Sequence, residues 1–217
     1  MNMNNNIAII DYGMGNLGSV QMAFKKLGVN LPIYNNLTDL GSADAFILPG
    51  VGAFPQAILN LKKYGIFEFL NDEVLKKNKP ILGICLGMQL MANQSLEQGI
   101  TEGFGWIDGT VTPIKRSNKL HVPHVGWNNL LITKEDNIFN NIDNGAHFFF
   151  DQSYKFEVSD ENYVLGVCEY GENIVSILRN KHIFGTQFHP EKSQRNGLKV
   201  LRNFIAFVDQ YYAENNF

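Results

Sequence analysis

Cys85 lies in Pro80-Ile-Leu-Gly-Ile-Cys-Leu-Gly-Met-Gln-Leu-Met91, with Gly83 and Gly87 two residues to either side. An apolar run ends at the cysteine and a helical pattern begins after it, so the thiol falls on a sharp strand-to-helix turn of the G-x-nucleophile-x-G kind. Such a turn strains the backbone of its central residue and lifts that side chain above the edge of a sheet. Cysteine attacks as thiolate, and a helix N-terminus or a neighbouring imidazole favours that form. Taken alone, the same cysteine reads more readily as a small hydrophobe packed in a βα turn.

Phe184-Gly-Thr-Gln-Phe-His-Pro-Glu-Lys-Ser193 offers the imidazole. A second short apolar run delivers His189, and Glu191 follows two residues later across a stiff Pro190. Histidine is the natural general base for a thiol, and a carboxylate on its other ring nitrogen fixes the tautomer and steadies the imidazolium. An isolated His-Pro-Glu is a surface turn. Beside the elbow it reads as the rest of a Cys85-His189-Glu191 triad, because both pieces end strands, where open α/β sheets place their sites. A third apolar run, Ala45 to Leu48, breaks into Pro49-Gly50-Val51-Gly52. Backbone amides near Val51 and Gly52, with that of Leu86 just after the nucleophile, are the expected donors to an oxyanion, although Pro-Gly-x-Gly alone signals only a turn.

Such a triad needs strands that end at one edge, and the rest of the chain provides for them. Ile7 to Ile10 is strand-like; Leu17, Val20, Ala23, Phe24 and Leu27 form a helical stripe that stops at Gly28. Leu31 to Tyr34 and Ala45 to Leu48 read as short strands, and Phe54 to Tyr64 and Ile66 to Lys77 as helices. This alternation predicts an α/β fold with a mostly parallel central sheet covered on both faces. After Gly105 the pattern changes to short runs at Thr110 to Ile114, Phe148 to Tyr154, Tyr163 to Cys168, Ile174 to Leu178 and Ile183 to Phe188, which predict antiparallel additions in the C-terminal half. Gly197 to Tyr212 closes the chain as a helix burying Leu198, Leu201, Phe204, Ile205 and Val208.

Composition sets outer limits. With 217 residues, 45% hydrophobic, and no linker-like or repetitive stretch, residues 1–217 read as a single domain. Asn2 and Asn4 to Asn6 suggest a frayed start. A net charge of −3 with scattered lysines and arginines leaves no footprint for nucleic acid or an anionic membrane. No segment resembles a secretory leader, and none is long and apolar enough to span a bilayer. The two cysteines, Cys85 and Cys168, make no disulfide framework; Cys168 reads as a core strand residue, and a reducing cytoplasm suits both.

Six ordered blocks run nearly end to end: Asp11-Tyr-Gly-Met-Gly-Asn-Leu-Gly-Ser19, Leu48-Pro-Gly-Val-Gly-Ala-Phe54, Gly83-Ile-Cys-Leu-Gly-Met-Gln89, Gly103-Phe-Gly-Trp-Ile107, Pro123-His-Val-Gly-Trp-Asn128 and Gln187-Phe-His-Pro-Glu-Lys-Ser193. On these the chain resembles the class I glutamine amidotransferases, and among them the glutaminase subunits of imidazole glycerol phosphate synthase. The resemblance implies that family's three-layer fold and hydrolysis of glutamine to glutamate and ammonia, with no cofactor or metal. It further implies a (βα)8-barrel cyclase partner that takes the ammonia. Gly52, Gln89 and the backbone near Ser153 and Tyr154 would hold the glutamine, while Asn16, Trp127 and Lys192 would lie at or near the partner interface. Bland readings remain for several of these: Gln89 as a first-turn helix residue, Asp11 as a turn, Asn16 as a helix cap and Trp127 as core.

One stretch departs from the family pattern. Where the family usually reads Val-His-Ser-Tyr, this chain has Asp151-Gln-Ser-Tyr154. Glutamine keeps a hydrogen-bonding amide but carries no charge, so an ionic role there is lost. Two acceptors for the ammonia therefore stay open: the histidine-pathway cyclase, or a paralogous branch of the family that supplies sugar amidination in surface-polysaccharide synthesis.

Overall fold

The computed structural model describes residues 5–116 and 120–215. The chain runs β1 (Ile7–Ile10), α1 (Leu17–Lys26), β2 (Ile33–Tyr34), α2 (Leu37–Gly41), β3 (Ala45–Gly50), α3 (Phe54–Lys63), α4 (Ile66–Asn71), β4 (Ile81–Cys85) and α5 (Leu86–Gln89). It continues through β5 (Gln94–Ser95), β6 (Thr101–Glu102), β7 (Gly109–Pro113), β8 (His124–Asn129), β9 (Leu131–Ile132), β10 (His147–Gln152) and β11 (Tyr154–Val158). Last come β12 (Val164–Glu169), β13 (Asn173–Asn180), β14 (Ile183–Thr186) and α6 (Gln194–Asn215).

Eight strands form the central sheet in the order β2-β1-β3-β4-β14-β13-β12-β9. Contacts from β2 to β14 are parallel, and those beyond β14 are antiparallel. The expected mostly parallel sheet with antiparallel additions is what forms. Alternation explains the layering: Ile7 and Ile9 share a core with Phe24 of α1 and Phe204 of α6, while Ala8 and Ile10 share the opposite core with Leu61 of α3 and Leu70 of α4. A strand buried on both faces needs apolar residues at every position, and β1 and β3 have them.

Register places the site. β4 pairs with β3 through Gly50↔Cys85 on one side and with β14 through Thr186↔Ile84 on the other. The nucleophile's strand is therefore flanked by the strands that lead to the glycine loop and to His189.

Several boundaries differ from the sequence reading. The run at Phe148 to Tyr154 divides at Ser153, because β10 pairs with β8 whereas β11 pairs with β7. The helix expected over Ile66 to Lys77 ends at Asn71 and gives way to a π-helical turn, Asp72–Lys76. That turn buries Glu73, whose carboxylate pairs with Lys77 and Lys79. The last helix starts at Gln194 rather than Gly197. Additions to the fold also begin earlier than expected, since β5 and β6 join β7 and β11 in a second sheet. The frayed start does not extend to Asn5 and Asn6: the Asn5 side chain donates to Asp209 and the Asn6 amide to Asp44. Asn2 and Asn4 lie outside the described residues. Among those described, no helix is long and apolar enough to cross a membrane.

Candidate active site

At the end of β4, Cys85 sits at φ 56° and ψ −110°, a left-handed conformation that an L-residue adopts only under constraint. Its glycine neighbours explain how. A Cβ on Gly87 would stand 1.8 Å from the Leu48 carbonyl oxygen, and one on Gly83 would stand 2.6 Å from the Gly87 carbonyl oxygen. The first turn of α5 is thus drawn tightly onto β3 and β4, and the thiol is turned to the wall of a cleft of about 320 Å³. Leu86 opens α5, so its amide belongs to the group that a helix cannot satisfy internally.

His189 arrives three residues after β14 and is held by backbone bonds. Its amide donates to the Phe149 carbonyl at 2.9 Å; the Ser193 hydroxyl donates to the His189 carbonyl at 2.6 Å and accepts from the Phe149 amide at 2.9 Å. The turn Pro190–Lys192 then folds Glu191 back, and its Oε1 lies 2.7 Å from His189 Nδ1, with both side chains only 2% exposed. A carboxylate can only accept, so Nδ1 carries the proton. The other nitrogen, Nε2, is buried without an aligned hydrogen bond. Burial pulls the imidazole pKa down, but the nearby Cys85 sulfur and Glu191 carboxylate outweigh it and carry it up to about 10. This favours the imidazolium form of His189.

The remaining expected residues line the same cleft. Val51 is 40% exposed, and Gly52 stands at φ 107°, where a Cβ would meet the Met14 methyl at 2.8 Å. Gln89, Ser153 and Tyr154 line the cleft too. Gln89 is more than a first-turn residue: its Nε2 donates to the Tyr154 carbonyl at 3.1 Å and to Gln187 Oε1 at 3.0 Å. Gln152 is buried with neither amide atom partnered, and Asp151 Oδ2 lies 3.9 Å from Lys192 Nζ.

Two of the three residues assigned to a partner face meet the same ring, and the third caps a helix. Trp127, 47% exposed, meets the Phe149 ring edge-on, and Lys192 lies over that ring at 5.5 Å. Asn16 caps α1 by accepting from the Ser19 amide at 3.3 Å, and α1 packs on the turn that carries Lys192. Asp11 likewise makes a turn, accepting from the Gly13 amide at 2.9 Å. Among the described residues no cluster of three or more His, Cys, Asp or Glu side chains is arranged to hold a metal ion.

Residues 8–207 match the model of the class-I glutamine amidotransferases. The chain belongs to that family. It is 48% identical over 199 residues to the imidazole glycerol phosphate synthase subunit HisH 1 of Campylobacter jejuni strain RM1221, spanning 92% of this chain and 98% of that one. It is 44% identical over 203 residues to the subunit HisH 2 of Vibrio vulnificus strain YJ016, spanning 93% and 94%. A solved structure, that of a putative GMP synthase protein from Thermoplasma acidophilum, shares the fold over the whole of both chains with a TM-score of 0.75 at 22% identity. In this glutamine amidotransferase two cleft-side groups escape sequence reasoning. Glu97 lines the cleft while its Oε2 accepts from the Phe54 amide at 2.9 Å, and Gln187 Nε2 points at Cys85 Sγ from 3.8 Å. Glu97 lies in a loop with no motif around it; Gln187 stood inside the His-Pro-Glu block, two residues before the base.

Proposed function

We propose that the chain hydrolyses glutamine through Cys85, His189 and Glu191 and supplies the ammonia to a (βα)8-barrel cyclase that makes imidazole glycerol phosphate and aminoimidazole carboxamide ribotide in histidine biosynthesis. The observation that carries the glutaminase reading is a strained cysteine at a helix start beside an imidazole whose far nitrogen is locked onto a buried carboxylate. The Cys85 thiolate attacks the substrate's carboxamide carbon. Amides of Val51, Gly52 and Leu86 receive the negative charge on its oxygen. His189 gives its proton to the nitrogen as the C–N bond breaks, so that ammonia departs and the acyl group remains on Cys85 as a thioester. The now neutral imidazole then takes a proton from water, the hydroxyl adds to the thioester, and glutamate departs as the sulfur regains its charge.

The cleft suits the rest of the substrate. The Glu97 carboxylate and Gln89 Oε1 are acceptors for an α-ammonium, and the backbone near Ser153 and Tyr154 offers donors for an α-carboxylate. Ammonia released into water at neutral pH would be protonated and lost, so a cytoplasmic partner seated beside Trp127 and Lys192 fits the chemistry. Relatives named as subunits of imidazole glycerol phosphate synthase support that partner.

A complex carrying Cys85→Ala should fail with glutamine yet still form product from concentrated ammonium salt at raised pH. Failure with both sources, in a complex shown to be assembled, overturns the division of labour. Asp151 and Gln152 favour one second reading, the sugar-amidinating branch; incubating the complex with each class of acceptor and identifying the aminated product by mass spectrometry decides between them.

A further inference from the structure

The buried amides beneath the cleft form a chain whose direction is set at one end. The Tyr154 carbonyl can only accept, so Gln89 must present its nitrogen there, at 3.1 Å. That nitrogen's second proton goes to Gln187 Oε1 at 3.0 Å. With its oxygen committed, Gln187 has only its nitrogen left for Cys85, and Nε2 lies 3.8 Å from Sγ. Gln187 is fully buried. The sulfur also meets the Asp151 carbonyl, 3.7 Å away, an acceptor that suits the protonated thiol and repels the ionised one.

We infer that Gln187 is a positioning residue: it aims an N–H at the Cys85 thiolate and, through Gln89, links the nucleophile to whatever fills the cleft. As a thiol, Cys85 places its proton on the Asp151 carbonyl. As a thiolate it loses that bond and accepts from Gln187. Gln89 faces the cleft as well as Gln187, so a ligand ammonium drawing on Gln89 Oε1 polarises the whole chain toward the sulfur. This last link rests on the glutaminase reading; the Gln187–sulfur contact does not.

Iodoacetamide reacts with the thiolate and needs no glutamine, so it tests the contact directly. The full-length protein, Gln187→Met and Gln89→Met are alkylated over a range of pH, with Cys85 modification followed by mass spectrometry and folding checked by thermal melting. Met fills the space of Gln without its amide. For Gln187→Met the expected result is alkylation slowed about tenfold at about pH 6, the lower end for a hydrogen bond to a charged acceptor, with the deficit closing by about pH 10 where thiols ionise unaided. A side chain that only filled space would slow the reaction equally at every pH. Gln89→Met, which releases the Gln187 amide from its orientation, should show the same closing deficit at smaller amplitude, and it carries the test if Gln187→Met does not fold. Wild-type alkylation across the range in either folded variant, or a deficit independent of pH, overturns the proposal. A wild-type protein that alkylates readily but hydrolyses no glutamine would instead overturn the glutaminase reading.

Discussion

At the scale of single residues, the two cysteines should behave as different reagents. Cys168 is wholly buried in β12, and burial pushes its thiol up to about 11, whereas Cys85 opens on the cleft. A glutamine-analogue electrophile should therefore label Cys85 alone, and Cys85→Ser should abolish hydrolysis; labelling of Cys168 with activity surviving in Cys85→Ser would reject the assignment. His189 makes a separate, thermodynamic prediction. Its pKa is about 10 in the fold against about 6.5 in an unfolded chain. The stabilisation it confers is complete below about pH 6.5 and is lost as pH rises toward 10. Urea unfolding at pH 7 and pH 9.5 should show a larger loss of stability for the wild type than for His189→Asn. Cys85, His189 and Glu191 were legible because each depends on a few adjacent residues: two glycines around a thiol, one proline between imidazole and carboxylate. Glu97 and Gln187 were not, since their meaning comes from Phe54 and Gln89, distant in sequence.

At the scale of elements, the elbow and the glycine loop should fail in distinguishable ways. Gly87→Ala drives a methyl into the Leu48 carbonyl, which neither β3 nor β4 can yield without losing their pairing; a cost of about 3 kcal/mol or more in chemical denaturation is expected, together with loss of activity. At Gly52 the obstructing atom is the end of the flexible Met14 side chain, so Gly52→Ala should fold. Its φ of 107° is nevertheless closed to alanine, and reorienting the loop amide should lower kcat by about 10²-fold while Cys85 alkylation is unchanged. Most of the central sheet could be read in advance because strands covered on both faces are uniformly apolar. β8 could not. Its burial alternates, but Val125 and Trp127 occupy the exposed positions and His124 an inner one, the reverse of the pattern by which hydrophobicity reveals a strand. There His124 is stacked between Phe150 and Tyr170, and burial lowers its pKa to about 4, so it packs as a neutral ring.

At the scale of the whole molecule, Trp127 on the outward side of β8 meets the Phe149 ring that Lys192 also covers, and a partner is proposed to sit there. Trp127→Ala should weaken the complex by about 2 kcal/mol in a binding titration, the usual size for a central tryptophan, while leaving hydrolysis by the isolated chain intact. An equal Kd for variant and wild type would move the docking face elsewhere. The order of strands in the central sheet has a further consequence, for the protein's synthesis. The strand bearing the thiol ends at residue 85, and its hydrogen-bonded neighbour, which leads to the base, begins at residue 183. If the proposed triad operates, a ribosome releases the nucleophile long before its general base has been made. On that reading, a message truncated anywhere between the two should yield a product that hydrolyses no glutamine.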